Sequence, residues 1–293
     1  MNPPTGQSIP CSDHPIPEAP DLDSDSFDGR PAAKGKYTLS EVTNLDGPCR
    51  HDPVRPCDIR GILHSHSRWT DGAHSLASMV ETAREIGLEY LGVSDHFISD
   101  THRDGLDLDA ARVQRQEVNR LREKHADFDV FQGIEIDVNA DGTLPVDDDT
   151  LDMFDFVIAS FPVNGDNTPE ALLRRMVAAA GHPKVTILGK PMGDYMLRGC
   201  EGLADIEQVL RAAAANNKAV ELDANPNCPE IDWTCCRMAQ EMGVYMVISP
   251  NAHRAARLVD FRHGAQLAHD AGLICGWILN TKSTAELRGH LGL

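Results

Sequence analysis

The sequence predicts an α/β fold in which parallel strands alternate with helices and close into a barrel. Short apolar runs recur from residue 58 onward, and amphipathic stretches with helical spacing separate them. Strands that alternate with helices imply a parallel sheet with crossover helices, and seven or eight such units imply a closed barrel. Histidine, aspartate and glutamate also collect where the apolar runs end, and that edge of a barrel carries the active site.

The individual elements follow from these patterns in chain order. The apolar runs predict strands at residues 58–64, 89–94, 128–135, 154–160, 185–189, 218–223 and 244–249, with a further candidate strand at 272–276. Apolar residues three or four positions apart predict helices between them, and the clearest patterns lie at 76–86, 172–180 and 203–213. No repeat of fixed period is visible along the chain.

Composition divides the chain into three segments. Residues 1–36 are rich in Pro, Asp and Ser and carry few large apolar side chains, so we expect a disordered acidic tail. Residues 37–57 form a short lead-in, and residues 58–293 carry the barrel pattern. A chain of 293 residues with 41% hydrophobic content can bury the core that such a domain needs.

Charge and targeting signals restrict the possible partners. The net charge of −18 weighs against non-specific binding to duplex DNA, which depends on basic patches, although bound cations could still attract a phosphate substrate. No apolar stretch approaches the roughly 20 residues that span a bilayer. The first residues lack the basic and apolar parts of a signal peptide, and the eight cysteines show no disulfide framework. We therefore expect a cytoplasmic protein without a membrane partner.

A His-x-His pattern at the end of the first predicted strand is the most informative motif. His64 and His66 project toward the same side, because alternate residues of a strand share a face. Asp71 follows five residues later, and His96 follows the end of the next apolar run. Two histidines at this spacing could occur by chance on the protein surface, but the additional candidate ligands Asp71 and His96 favour a metal site.

Two later strand ends add ligand types of the same kind. Glu135 ends the third predicted strand, and Asn251 and His253 follow the seventh. A mixed nitrogen and oxygen set suits Mn²⁺, Zn²⁺ or Fe²⁺, while an all-oxygen set would suit Mg²⁺ or Ca²⁺. Glu135 is the candidate to bridge two ions, and ions about 3.5–4 Å apart can activate a water and stabilise a leaving oxygen in phosphoryl transfer.

Seven sequence stretches identify a resemblance that covers about four-fifths of the chain. They are DIRGILHSHS at 58–67, SDH at 94–96, GIEID at 133–137, DFVIAS at 155–160, ILGKPMG at 187–193, ELDANP at 221–226 and ISPNAH at 248–253. In this order they resemble the PHP (polymerase and histidinol phosphatase) domain, most of all the C-terminal PHP domain of bacterial family X DNA polymerases. The resemblance implies a distorted (β/α)₇ TIM-like barrel of the PHP type, with up to three metal ions and members that hydrolyse phosphoesters.

The chain departs from the family pattern at three ligand positions. Pro162 and Lys190 stand where the family has histidines, and Asn251 stands where it has an aspartate. The two missing histidines share one metal, so we expect that site to be empty. The missing aspartate belongs to the ion of the His-x-His pair, whose site is therefore weakened, and we expect one or two divalent ions in all. The set that remains intact consists of Asp71, His96 and His253.

Three residues are candidates for catalytic roles beside the metal ligands. Lys190 could supply positive charge toward a phosphate or Glu135 in place of a metal, or it could fill space or pair with an acid. Arg198 matches a family arginine that could hold a phosphate, and a helix-surface salt bridge is the alternative. Asp95, next to His96, could orient a ligand as a supporting carboxylate.

These observations lead to two functional hypotheses. The first is a metal-dependent phosphoesterase that hydrolyses a phosphomonoester or a 3′-terminal phosphodiester with a reduced one- or two-metal site. Its partners would be a phosphorylated small molecule or a nucleic-acid 3′ end. The alternative is a catalytically weak or inactive relative that binds a phosphate ligand or a protein. The sequence contains no segment that resembles a polymerase domain, so we expect a stand-alone relative without polymerase activity.

Overall fold

The computed structural model describes residues 52–162, 168–191, 203–226 and 233–293. Within these ranges seven strands form one sheet in the order of the chain, and every neighbouring pair is parallel. Parallel neighbours require a crossover connection between them, which the helices provide. The strands are β1 (Gly61–Ile62), β2 (Tyr90–Val93), β3 (Asp129–Asp137), β4 (Phe156–Ser160), β5 (Ile187–Leu188), β6 (Ala219–Asp223) and β7 (Met246–Ser249).

Helices lie between and after the strands. In the described ranges they are α1 (Leu76–Glu85), α2 (Leu108–Lys124), α3 (Asp148–Leu151), α4 (Pro169–Gly181), α5 (Leu203–Ala215), α6 (Trp233–Glu241), α7 (Phe261–Asp270) and α8 (Thr284–Leu291). The side chains of Ser75, Asp107 and Thr168 cap α1, α2 and α4 by accepting a hydrogen bond from a backbone N–H of the first turn. The three helices predicted from apolar spacing are confirmed as α1, α4 and α5.

The candidate strand at 272–276 is wrong. Ile274 makes only an isolated antiparallel bridge with Pro53, and the chain then enters a 3₁₀ helix, Cys275–Trp277. Leu273 and Cys275 are buried, which explains the apolar run that suggested a strand. A short buried segment has the same composition whether or not it extends a sheet, so the pattern alone could not distinguish the two.

A few contacts close the barrel between its first and last strands. A parallel bridge joins Ser65, just after β1, to Ala252, just after β7. Below it, the fully buried side chain of Asn280 fills the gap between the strands. Its Nδ2 donates to the carbonyls of Gly61 at 2.9 Å and Ile248 at 3.0 Å, and its Oδ1 accepts from the N–H of Ile248 at 2.7 Å. The predicted seven-stranded α/β barrel is therefore confirmed in a nearly closed form.

Large apolar side chains fill the barrel beneath the strand ends. Tyr90, Phe131 and Phe156 belong to one buried cluster, in which the rings of Tyr90 and Phe131 meet edge to face at 5.8 Å. A Cβ atom at Gly133 would lie 2.2 Å from the ring of Phe156, so only glycine allows this close approach. Because alternate residues of β3 share a face, the strand that buries Phe131 presents Glu135 on the same side.

Several sequence predictions fall outside the described residues. The acidic tail at 1–36 and most of the lead-in at 37–57 remain predictions, as does the phosphate contact of Arg198. Only the end of the lead-in is described, where Pro56–Asp58 forms a 3₁₀ turn. Among the helices that the structure describes, none is long and apolar enough to cross a bilayer.

Candidate metal centre

The carboxyl ends of the strands surround a cleft of about 310 Å³. Strand ends and the loops that follow them supply its walls, so residues that are far apart in the sequence meet here. This is the edge of the barrel at which the polar residues were expected to collect. The residues that line the cleft include Asp71, His96, Glu135, Lys190, Asn251 and His253.

His64, His66 and Glu135 form a buried group that we call the inner set. His64 Nε2 lies 3.1 Å from both His66 Nε2 and Glu135 Oε2, and His66 Nε2 lies 3.3 Å from the same glutamate oxygen. Asn251 approaches from the end of β7, and its Oδ1 lies 2.9 Å from His66 Nε2. Nitrogen and oxygen atoms from three strand ends therefore converge on one point.

Glu221 of β6 fixes the orientation of His64. Its Oε1 accepts a hydrogen bond from His64 Nδ1, and both side chains are buried. A carboxylate in this position directs Nε2 of the ring toward a metal ligand site. Burial alone would lower the pKa of His64, but Glu221 and Glu135 outweigh burial and raise the pKa to about 10. In the sequence, Glu221 stood out only as part of the ELDANP stretch at 221–226, and its role in orienting His64 was not predicted.

Asp71, His96 and His253 form the outer set, in which His96 is buried and the other two side chains are more open to solvent. His253 Nε2 lies 3.1 Å from Asp71 Oδ2, and His96 Nε2 lies 3.6 Å from the same oxygen. His253 Nδ1 lies 3.0 Å from the carbonyl oxygen of Asn251, a contact that leaves Nε2 to face the carboxylate. The side chain of Asp71 is 48% exposed and that of His253 is 37% exposed.

The two sets meet where the ring of His66, from the inner set, stacks on the ring of His96, from the outer set, with the centroids 4.5 Å apart. His66 Nδ1 lies 3.7 Å from Asp71 Oδ1, and His96 Nδ1 lies 3.3 Å from Glu135 Oε2. Both Nδ1 atoms are buried and have no hydrogen bond within the described residues. Buried nitrogens without a hydrogen bond, placed beside carboxylates, call for a further partner such as a metal ion.

The electrostatics of the cleft favour ionised carboxylates. Burial would raise the pKa of Glu135, but the charge of His64 outweighs it and holds the pKa well below its usual range. Burial also opposes ionisation of Asp71, but the hydrogen bond from His253 lowers its pKa. Burial lowers the pKa of His66 and favours the neutral ring. Ionised carboxylates and the neutral ring of His66 are in the protonation states that bind metals, whereas His64 must release a proton before its Nε2 can bind an ion.

The donor atoms fit a divalent metal ion. Within each of two overlapping groups, the ligand atoms all lie within 4.8 Å of one another. Imidazole nitrogen and carboxylate oxygen are the donors that first-row divalent metals accept. One group consists of His64, His66 and Glu135, and the other consists of His66, Asp71, His96 and His253.

The substituted positions also face the cleft, as Pro162 and Lys190 both line it. Proline offers no side-chain donor, whereas Lys190 Nζ lies 3.7 Å from Asp223 Oδ2 at the end of β6. The lysine thus pairs with an acid, one of the alternatives that the sequence left open. Lys190 and Asn251 have φ angles of 44° and 46°, a region that residues other than glycine rarely adopt.

Asp95 lies behind the loop that carries Asp71 and is not among the residues that line the cleft. Its carboxylate accepts hydrogen bonds from the side chains of Ser67, Thr70 and Gln114. Burial raises the pKa of Asp95 to about 6. The carboxylate of Asp95 contacts none of the predicted ligands in the described hydrogen bonds, and its backbone carbonyl accepts from the N–H of Glu135 at 3.2 Å. Both the orienting role and the catalytic role of Asp95 stay predictions.

His102 lines the cleft but was not identified from the sequence. Its ring stacks on that of His96 with the centroids 3.5 Å apart and the planes 9° from parallel. Its Nδ1 lies 3.3 Å from Asp137 Oδ2, which also accepts from Ser99 Oγ at 2.7 Å. The hydrogen bond with Asp137 raises the pKa of His102. The available signal was its place in the loop after β2, at the edge that carries the other site residues.

Comparison with known proteins finds no matching family model but does find related sequences. DNA polymerase/3′-5′ exonuclease PolX of Bacillus subtilis strain 168 is 31% identical over 233 residues, which cover 80% of this chain and 41% of PolX. A probable phosphatase of Thermoanaerobacter sp. strain X514 is 25% identical over 236 residues, which cover 75% of this chain and 90% of that protein. The chain therefore spans less than half of PolX but most of the length of the phosphatase.

A solved structure shares the barrel. The crystal structure of histidinol phosphate phosphatase from Lactococcus lactis, complexed with zinc, L-histidinol and phosphate, superposes with a TM-score of 0.55 at 19% identity. The superposition covers 73% of this chain and 94% of that chain. Fold and sequence comparisons thus agree with the resemblance that the motifs indicated: this chain is a relative of the PHP-domain proteins.

Proposed function

We propose that this protein is a metal-dependent phosphoesterase that hydrolyses phosphomonoesters or a 3′-terminal phosphodiester. The observation that carries the proposal is the convergence of the inner and outer sets in one cleft at the strand ends. Adjacent sites of this kind serve the displacement reactions of phosphate esters. The relatives support the same class, since one is named as an exonuclease and another as a probable phosphatase.

The chain's own residues have distinct parts in this proposal. The two sets would hold Mn²⁺, Zn²⁺ or Fe²⁺, which would act as a Lewis acid toward the phosphoryl oxygens. Glu221 keeps His64 in its ligating orientation, and Glu135 presents its carboxylate to the cleft. Lys190 contributes positive charge on the side of the cleft where two family ligands are replaced. Arg198 remains a predicted phosphate contact.

The experiment that tests the proposal is a metal-dependence assay on the full chain. The protein is stripped of metal with a chelator, reloaded with Mn²⁺ or Zn²⁺, and given an aryl phosphate or a 3′-labelled oligonucleotide. We expect ion-dependent hydrolysis of at least one substrate, lost in His66→Ala. His182→Ala is the control, because His182 lies outside the cleft and faces Asp148 at 3.6 Å. Bound metal without hydrolysis of any phosphate ester would contradict the proposal.

A phosphate- or protein-binding module is the second candidate. The observation that favours it is the loss of side-chain donors at Pro162 and the neutral amide of Asn251 beside the inner set. Elemental analysis of the purified protein separates the two candidates. More than one tightly bound ion per chain favours the enzyme, whereas phosphate binding without a bound ion favours the module.

Lys190 offers a sharper test of how phosphate is held. If its ammonium replaces a lost cation, Lys190→Met should weaken phosphate binding or turnover at least about tenfold, because a desolvated charge loses its partner. Lys184→Met is the matched control, since Lys184 also pairs with an aspartate, Asp152, but lies outside the cleft. Unchanged phosphate affinity and turnover in Lys190→Met would show that the lysine does not replace a lost cation and only pairs with Asp223.

A further inference from the structure

Asp71 of the outer set lies on the loop formed by residues 67–72, between β1 and α1. The loop is folded on itself, because the N–H groups of Thr70 and Gly72 both donate to the carbonyl of Ser67, at 3.1 and 3.0 Å. A Cβ atom at Gly72 would lie 2.5 Å from the carbonyl oxygen of His66, so glycine is required for this close approach. These bonds fix the shape of the loop, but they do not fix its place on the barrel.

Asp95 provides the first attachment of the loop to the barrel. Its Oδ1 accepts from the N–H of Ser67 and from Thr70 Oγ1, each at 2.7 Å. Its Oδ2 accepts from Ser67 Oγ and from Gln114 Nε2, each at 2.6 Å. The carboxylate is fully buried, so each of these hydrogen bonds offsets a large desolvation cost. Gln114, on α2, is thus the donor that ties this carboxylate to a helix.

The orientation of Gln114 is itself determined. Its Oε1 accepts from Gln132 Nε2 at 2.8 Å, and Gln132 Nε2 also donates to the carbonyl of Ala111 at 3.0 Å. Both glutamine side chains are buried. With its oxygen committed to Gln132, the amide of Gln114 must present its nitrogen to Asp95. Gln114 of α2 therefore fixes the position of the Asp95 carboxylate, and Gln132 of β3 fixes the orientation of Gln114.

Glu117, nearly one helical turn after Gln114, provides a second attachment. Its Oε2 accepts from the indole Nε1 of Trp69 at 2.7 Å. Residues three apart on a helix lie on the same face, so one face of α2 reaches the loop directly at Trp69 and, through Asp95, at Ser67 and Thr70. Trp69 also packs against two of the apolar clusters, which anchors the loop further.

We propose that Gln114 and Glu117 are positioning residues that hold Asp71 in place as a ligand of the outer set. Their action passes through Asp95 and Trp69, and neither residue lines the cleft. The inner set projects from strand ends, and the described hydrogen bonds of its side chains run to Asn251, to Glu221 and among its own members, not to α2. The inference rests on the metal-binding part of the proposed function, but it does not require that the protein hydrolyse phosphate esters.

The test is a double-mutant cycle read out by Mn²⁺ affinity. Gln114→Leu should weaken Mn²⁺ binding at least about tenfold in the native chain and less than about twofold in an Asp71→Asn background, because coupled residues give non-additive losses. Gln116→Leu is the matched control, since Gln116 is exposed on the same helix two positions away. A loss of equal size in both backgrounds would show general destabilisation and overturn the proposal.

Glu117 provides an independent test if circular dichroism shows that the Gln114→Leu variant does not fold. Glu117→Gln keeps an oxygen that accepts from Trp69 and should retain Mn²⁺ affinity, whereas Glu117→Leu should lose it only when Asp71 is present. Equal affinities in both Glu117 variants would overturn the second attachment. A wild-type chain that binds no ion overturns both this inference and the proposed function. A chain that binds ions without hydrolysis overturns the function alone.

Discussion

The inner and outer sets differ in what holds their side chains in place. His64, His66 and Glu135 lie on strands or directly after them, and they are 0%, 0% and 7% exposed. Asp71 and His253 lie on loops, with side chains 48% and 37% exposed. Strand geometry and the hydrogen bond from His64 to Glu221 therefore orient the inner set, whereas the place of Asp71 in the outer set depends on hydrogen bonds that its loop makes with Asp95 and Glu117. Mutations should accordingly act on the two sets by different routes.

Burial also strengthens the electrostatic interactions within the inner set. His64 lies between the carboxylates of Glu135 and Glu221, and all three side chains are buried. In such surroundings both the attraction between opposite charges and the cost of an unpaired charge increase. The carboxylate of Asp71, by contrast, is half exposed and can be solvated. The same type of substitution should cost more in the inner set.

The largest expected effect comes from His64→Ala compared with His96→Ala. Both variants remove a metal donor, so both should lower the amount of bound Mn²⁺. His64→Ala should be the more severe and should also lower the stability of the metal-free protein, because a buried carboxylate that loses its partner costs about 3–5 kcal/mol. Metal titration and thermal unfolding measure the two effects. Unchanged stoichiometry in both variants refutes the site, and equal losses remove the distinction between the sets.

Glu221→Gln tests the support behind the inner set. The amide oxygen of glutamine still accepts from His64 Nδ1, but the buried negative charge is gone. We expect Mn²⁺ affinity to fall about tenfold, the lower end of the roughly 10–100-fold range for residues that orient metal ligands. Glu207→Gln is the control, since Glu207 forms a surface ion pair with Arg211. An unchanged affinity in Glu221→Gln would mean that strand geometry alone orients His64.

Asn251→Asp should strengthen the inner set. A carboxylate is a better ligand for a dication than a neutral amide, and aspartate tolerates the φ of 46° that Asn251 adopts. The gain should stay below about tenfold, because another buried charge beside Glu135 is costly. Asn217→Asp is the matched control, since Asn217 has a φ of 54° on the exposed surface. Equal or weaker Mn²⁺ binding with the fold intact would mean that residue 251 does not contact the ion.

The same contrast explains how much of the site could be predicted from the sequence. The residues of the inner set were recognisable because they end apolar runs and alternate along a strand, as in His64 and His66. The seven strands were recognisable for the same reason. The candidate strand at 272–276 was wrong because the buried segment around Leu273 packs on the barrel without joining the sheet.

The sequence did not predict the contacts between elements that are far apart in the chain. His102 reaches the cleft because the N–H of Phe97 donates to the carbonyl of Glu135, and the N–H of Leu106 to that of His96, both at 2.8 Å. No local pattern records such contacts, since they join a loop to another strand. Gln114 resembles any polar residue of an amphipathic helix until its partner Asp95 is known. The supporting residues of a site are therefore harder to find than its ligands.

The smallest expected effect tests whether stacking helps to hold the outer set. The ring of His102 lies flat on His96, and a stacked aromatic pair contributes about 0.5–1.5 kcal/mol beyond its buried area. His102→Ala should therefore weaken Mn²⁺ binding by about two- to tenfold, whereas His102→Phe should keep near-native affinity, because phenylalanine preserves the stacking. His290→Ala is the control, since His290 makes a ring contact with Tyr245 at 4.9 Å outside the cleft. If both His102 variants lose affinity equally, the hydrogen bond to Asp137 and not the stacking holds His96 in place.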